Sequence, residues 1–200
     1  RNKKYDGYRA FQYLEPGIDY KEFKLREAVI DEWWEPVPLS KTEEERFEEV
    51  MTKSVVMDLH AHIEISPENP YEIREYDQEG RNFIAYEALS TSGLDCVFDN
   101  LQDGSSFANT KHGWDWNGTI HDLGMHLVDI AKQDFLIHCK RPGDIDTAHR
   151  EGKLAWVAVL ESASCIENEV DRLDILYGLG VRSIGINYSE SNMLGSGLKE

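Results

Sequence analysis

Asp58-Leu59-His60-Ala61-His62 follows directly on the apolar run Ser54-Val55-Val56-Met57, the pattern of a short buried strand ending in two histidines. A strand sends alternate side chains to opposite faces, so residues two apart leave on the same side. Two neutral imidazole nitrogens then converge, a donor set that suits a divalent transition ion. A second strand-like run, Leu154-Ala155-Trp156-Val157-Ala158-Val159-Leu160, ends the same way in Glu161. An unpaired carboxylate at such a place is costly, so a metal or a basic partner is expected to neutralise it. The plainer alternative, an exposed Glu marking the end of a strand, stays open at this point. A further run, from Val181 to Asn187, closes in Asn187-Tyr188-Ser189, polar groups placed to contact a substrate. Arg182, at that run's start, is expected at the opposite, structural end.

These residues need elements that bring strand ends together. Ser54 to Leu59, Leu94 to Phe98, Leu154 to Leu160 and Val181 to Asn187 read as strands, the first three as apolar runs of the kind a sheet covered on both faces shows. Between them lie helical stripes over about 82–92, 120–135, 143–150 and 166–177, with Gly93 and Gly178 or Gly180 suited to the left-handed position past a helix end. Four βα units in series predict an α/β fold with a parallel sheet, whose sites lie at the C-terminal ends of its strands. His112, His121, His126, His138 and His149 fall in a loop or on helical segments, where solvated or packing roles are expected. The long segment from about Asn100 to Gly118, with Phe107, Trp114 and Trp116, follows a strand end and is expected to form a lid or wall over the site.

Residues 1–53 differ from residues 54–200. Tyr5, Tyr8, Phe11, Tyr13, Tyr20 and Phe23, then Trp33-Trp34, make an aromatic and acidic arm expected to lie on a surface of this chain or of a partner. Thr42-Glu43-Glu44-Glu45 fits a capping box that opens a short acidic helix leading to the first strand. Of 200 residues, 38 are acidic and 21 basic, a net charge of −17 that disfavours nucleic acid and anionic membrane surfaces as partners. No long apolar run suggests a membrane span, and the expected location is cytoplasmic. Cys96, Cys139 and Cys165 lack the spacing of a zinc knuckle or a disulfide framework and are expected to be reduced packing residues.

The stretches Ala148-His149-Arg150-Glu151-Gly152-Lys153-Leu154-Ala155, Leu160-Glu161 and Leu176-Tyr177-Gly178-Leu179-Gly180-Val181-Arg182 carry a family resemblance. In order and spacing, over roughly residues 54–198, the chain resembles the membrane (renal) dipeptidase family, peptidase family M19, of the amidohydrolase superfamily. The resemblance implies a TIM-barrel-type (β/α)8 fold, of which this chain supplies about the first four βα units. It places His60 on the first metal-binding His of the family, Asp58 on the acid two residues before it, and Glu161 on the carboxylate that bridges two zinc ions. Zinc is therefore the expected metal, with manganese or iron as alternatives. There are departures. The family has His-x-Asp where this chain has His60 and His62, Gly-Gly-His where Ser162-Ala163-Ser164 stands, and a substrate-contacting His where Tyr188 falls.

A barrel of this type needs about 250 residues. The resemblance implies that two further metal-binding His residues, and groups that hold substrate and transfer protons, belong to later strands. A complementary chain carrying the C-terminal half barrel, within an oligomer, is expected to supply them, leaving the isolated chain inactive. The implied activity is metal-dependent hydrolysis of a dipeptide or other small amide. The alternatives are a non-peptidase lyase or decarboxylase of the amidohydrolase type and a catalytically silent scaffold subunit.

Overall fold

A computed structural model describes residues 2–27, 37–101, 115–188 and 191–198. Ser40 caps helix α1 (Lys41–Lys53): its hydroxyl accepts from the Glu43 amide and its own amide is met by the Glu43 carboxylate. The capping box thus lies two residues earlier than Thr42–Glu45, because Thr42 is already inside the first turn. Strand β1 (Met57–Ala61) follows, then α2 (Ile73–Glu79), α3 (Tyr86–Thr91) and β2 (Cys96–Asn100). Next come α4 (Trp116–Ile130), β3 (Leu136–His138), α5 (Pro142–Glu151), β4 (Leu154–Leu160), α6 (Arg172–Leu179) and β5 (Val181–Ile184).

All strand pairs are parallel and run β1-β2-β4, with β4 as the centre. On its other edge β4 is shared: β3 pairs with residues 154–156, while β5 pairs with residues 158–160. Strand β3 corrects the sequence reading, which extended the apolar stripe of α4 through Phe135. Helix α4 ends at Ile130, and Leu136-Ile137-His138 leaves it to pair with the buried start of β4. His138 accordingly lies on a strand rather than on a loop or helix. The helix expected from Ile166 begins only at Arg172. Ser162 caps a 3₁₀ turn over Ala163–Ile166, and Glu167, at φ 52°, turns the chain before α6 can start. Gly93, Gly152 and Gly180 do take the left-handed conformation that ends a helix.

Strands β2 and β4 are buried on both faces, whereas β1, expected to be covered likewise, leaves Met57 and Leu59 exposed. One face, with Val97, Leu154, Trp156, Ala158 and Leu160, packs against Tyr86, Leu123 and Ile130 of the helices. The other, with Cys96, Ala155, Val157 and Val159, packs against Cys139 and Ala148. The three cysteines are buried and unpaired.

The described part of the arm packs on this chain. The buried carboxylate of Asp129 on α4 accepts from the Tyr8 hydroxyl at 2.6 Å, the Phe11 amide at 2.9 Å and the Tyr86 hydroxyl at 2.7 Å. Nearer the N-terminus Lys3 faces Asp95 at 3.6 Å, with both side chains fully buried, and Asp95 also meets His149 at 3.0 Å and the Val56 amide at 3.0 Å. One buried acid thus ties the arm, the approach to β1, the start of β2 and α5 together. Trp33 and Trp34 lie outside the described residues. No helix among the described residues is long and apolar enough to cross a membrane.

Candidate metal centre

His60 lies one residue before the end of β1, His62 and Glu161 one residue beyond β1 and β4, all at the C-terminal edge of the sheet. The β1–β2 register shifts between Asp58 and Ala61, a bulge of the kind that re-aims side chains at a strand end. Their donor atoms come together. His60 Nε2 is 3.0 Å and His62 Nε2 3.6 Å from Glu161 Oε1, and one ligand atom from each of the three lies within 4.8 Å of the others. Glu161 is almost wholly buried, whereas His60 is open on one side (side chains 5 % and 62 % exposed). The cluster therefore faces a free approach over a fixed carboxylate.

The local structure orients each donor. His62 Nδ1 lies 3.2 Å from the Asn100 carbonyl, so it carries the proton and donates there, which leaves Nε2 as a bare lone pair aimed at Glu161. Asn100 reaches back to the Ala61 carbonyl with its own amide nitrogen. Asp58 accepts from the His60 backbone amide at 3.0 Å, so it shapes the strand end and does not join the cluster. Two imidazole nitrogens and one carboxylate oxygen form a donor set that fits a divalent transition ion.

Asn187 and Tyr188 lie past the end of β5, Tyr188 exposed and Asn187 half-buried. Arg182 is at the other end of that strand. It stacks on Tyr177, with the guanidinium 4.0 Å from the ring, and donates to the Lys140 and Tyr177 carbonyls. Phe107 and Trp114 lie outside the described residues. Trp116 opens α4 and is covered by Arg172, 4.9 Å above its ring.

Beside His62 a cavity of about 250 Å³ is lined by Glu64, Asp77, Asp99 and His126. Burial, then the nearness of Asp99, pushes the Glu64 carboxyl up to about 7. Burial also raises Asp99, which accepts from the Trp156 indole at 2.7 Å. Burial opposes a charge on His126, but Asp122 and Asp99 outweigh it and hold its pKa above the ordinary value. None of Asn100, Glu64 and Asp99 was singled out from the sequence. Asp99-Asn100 nevertheless shows the same signal as Glu161, polar residues closing an apolar strand.

Residues 44–200 match the family model of the membrane dipeptidases, peptidase family M19. Among solved structures, an amidohydrolase from Pseudomonas aeruginosa superposes with a TM-score of 0.56 at 19 % identity, over 76 % of this chain and 40 % of that one. A family M19 metallopeptidase, dipeptidase AC, gives 0.48 at 18 % identity, over 67 % of this chain and 43 % of its own. A metallopeptidase from Rhodobacter sphaeroides, bound to a phosphinate mimic of the dipeptide L-Ala-D-Ala, gives 0.46 at 17 %, over 67 % and 45 %. The chain spans less than half the length of each of these three structures. The search of curated proteins returned no match.

Proposed function

The chain belongs to the membrane dipeptidase family, peptidase family M19, and from that we propose that it supplies part of the active site of a metal-dependent hydrolase cleaving a dipeptide or other small amide. The observation that carries this reading is the meeting of His60, His62 and Glu161 at one point, with donor atoms within 4.8 Å and one side open. His60, His62 and Glu161 would hold the metal. Zinc is the metal the family resemblance implies, with manganese or iron as alternatives. Divalent ions there supply Lewis acidity to the scissile carbonyl and make water nucleophilic near neutral pH.

The chain's own residues do the positioning. The Asn100 carbonyl fixes the His62 tautomer, and the buried setting of Glu161 holds its carboxylate in place beneath His60. Asn187 and Tyr188 contact the substrate from the end of β5. Three ligands suffice for one ion with an open position but not for a filled, bridged pair. The remaining ligands and proton-transfer groups come from βα units outside residues 1–200, in the same polypeptide or in a complementary chain, and residues 1–200 alone are inactive.

One observation favours a different reaction on the same site. His62 and Tyr188 stand where the family resemblance implies an Asp and a substrate-contacting His. This second reading is a non-peptidase lyase or decarboxylase. The experiment measures metal content, and turnover on a panel of dipeptides, acylated amines and carboxylic acids, for the complete protein and its Glu161→Gln variant. Stoichiometric metal and dipeptide hydrolysis, both lost in the variant, are expected. Unchanged metal content in Glu161→Gln overturns the assignment of the site, and turnover confined to decarboxylation selects the second reading.

A further inference from the structure

Glu161 lies just outside the regular pairing of β4, so something other than the strand ladder must hold its main chain in place. That something is the continuation of β5. The Gly185 amide donates to the Leu160 carbonyl at 2.8 Å, and the Ala163 amide donates to the Ile186 carbonyl at 3.4 Å. Glu161 is thus bracketed on both sides by hydrogen bonds to two consecutive residues of the other strand. Between those bonds the two backbones approach too closely for a side chain. A Cβ placed on Gly185 falls 2.9 Å from the Glu161 carbonyl carbon and closer still to its oxygen. Gly185 is not in the left-handed region, so its lack of a side chain serves this approach and not an unusual backbone angle.

We infer that Gly185 is a positioning residue for the metal-bridging carboxylate: its bare backbone lets β5 clamp the main chain of Glu161 at the depth where the side chain meets His60 and His62. The inference rests on the metal reading of that site. The atoms a methyl group would strike are main-chain atoms, which cannot rotate aside like the tip of a side chain. Relief requires roughly 1 Å of separation between the strands. That shift moves the Glu161 Cα, and with it an oxygen now 3.0 Å from His60 Nε2 and 3.6 Å from His62 Nε2. Ligand sites tolerate about 0.5 Å of such displacement, and loss of an orienting group typically weakens metal binding about 10- to 100-fold.

The same strand provides a matched control. A Cβ on Gly180, at φ 102°, would strike the imidazole of His138 just before the start of β5, so Gly180→Ala strains the same strand away from the site through its backbone angle and a side-chain contact. The experiment titrates the metal-free complete protein with Zn²⁺ against a competing chelator and records the visible spectrum of the Co²⁺ form. It does so for wild type, Gly185→Ala and Gly180→Ala, with the metal-free Tm of each. Gly185→Ala is expected to bind Zn²⁺ about 10- to 100-fold more weakly and to alter the Co²⁺ spectrum. Gly180→Ala should lower Tm while staying within about 3-fold of wild-type affinity. Equal affinity of Gly185→Ala and wild type, or an equal loss in both variants, overturns the inference. If wild type itself binds no Zn²⁺ or Co²⁺, the metal reading fails instead. Should Gly185→Ala not fold, Ala163→Pro carries the test. It deletes the second clamping donor at the first position of a 3₁₀ turn, and the preceding Ser162 is already extended (φ −139°, ψ 142°), as a residue before proline must be. A folded Ala163→Pro with wild-type affinity and spectrum overturns the inference equally.

Discussion

Asp129 offers a measurable test of how the arm is held. Its carboxylate is wholly buried and accepts three hydrogen bonds, two on Oδ1 from the Tyr8 hydroxyl and the Phe11 amide, one on Oδ2 from the Tyr86 hydroxyl. Burial, with the acid itself beside them, raises both tyrosine hydroxyls far above their ordinary range, so they remain donors at any accessible pH. Asp129→Ala orphans all three donors at about 1–3 kcal/mol each, the least for half-buried Tyr8, which water can reach, for a total near 4–6 kcal/mol. Asp129→Asn keeps the shape. Its amide oxygen can stay on Tyr8 and Phe11, while its NH₂ faces a Tyr86 hydroxyl that can turn and accept, so chiefly the charge assistance is lost, about 1–2 kcal/mol. Urea unfolding of both variants, with proteolysis of residues 2–27 to detect release of the arm, measures the difference. An Asn variant as unstable as the Ala variant, or an Ala variant within about 1 kcal/mol of wild type, would refute this account of the latch.

Two further outcomes follow from buried charge. Replacing Lys3 by Met leaves Asp95 buried with only His149 beside it, and should cost about 2–4 kcal/mol, most of the penalty for breaking a buried pair; a thermal unfolding shift equivalent to under about 1 kcal/mol would contradict it. The cavity beside His62 sets a pH dependence with a defined sign. A carboxyl raised to about 7 when folded adds stability that is fully present below its ordinary value and is lost as pH rises through about 7, and the raised Asp99 and His126 act in the same direction. The metal-free protein should therefore lose about 1 kcal/mol more stability between pH 6 and pH 8 than its Glu64→Gln variant in urea titrations, and parallel pH profiles would rule this out.

The elements were legible in the sequence wherever a run was long enough to show one period. Strand β4, seven residues and all buried, announces itself, as do the left-handed glycines that end the helices. Strand β3 does not, because three residues that continue the apolar stripe of α4 carry no period of their own; only pairing with Leu154, Ala155 and Trp156 makes them a strand. The 3₁₀ turn after Glu161 was hidden for a similar reason, since nothing in Ser164-Cys165-Ile166-Glu167 announces that Glu167 adopts a positive φ. The arm's aromatic content predicted burial but not its target. Asp129, the anchor, is a lone acid beside Ile130 whose spacing carries no signal of that role.

At the site the same sequence signal had two fates, and register decided between them. Both β2 and β4 are apolar runs closed by acids, Asp99 and Glu161. Asp99 pairs with Ala158 and so shares the face of Trp156, from whose indole it accepts. Glu161 continues the alternation of Ala155, Val157 and Val159 on the other face, where it meets the two histidines. One residue of register thus separates an acid bonded to the Trp156 indole from an acid that meets the two histidines. Sequence periodicity cannot supply that parity, because it tells which residues share a side but not which side faces the open mouth. The pairing of β5 then holds the outcome in place, since the close passage of Gly185 against the Glu161 carbonyl leaves that main chain no room to shift.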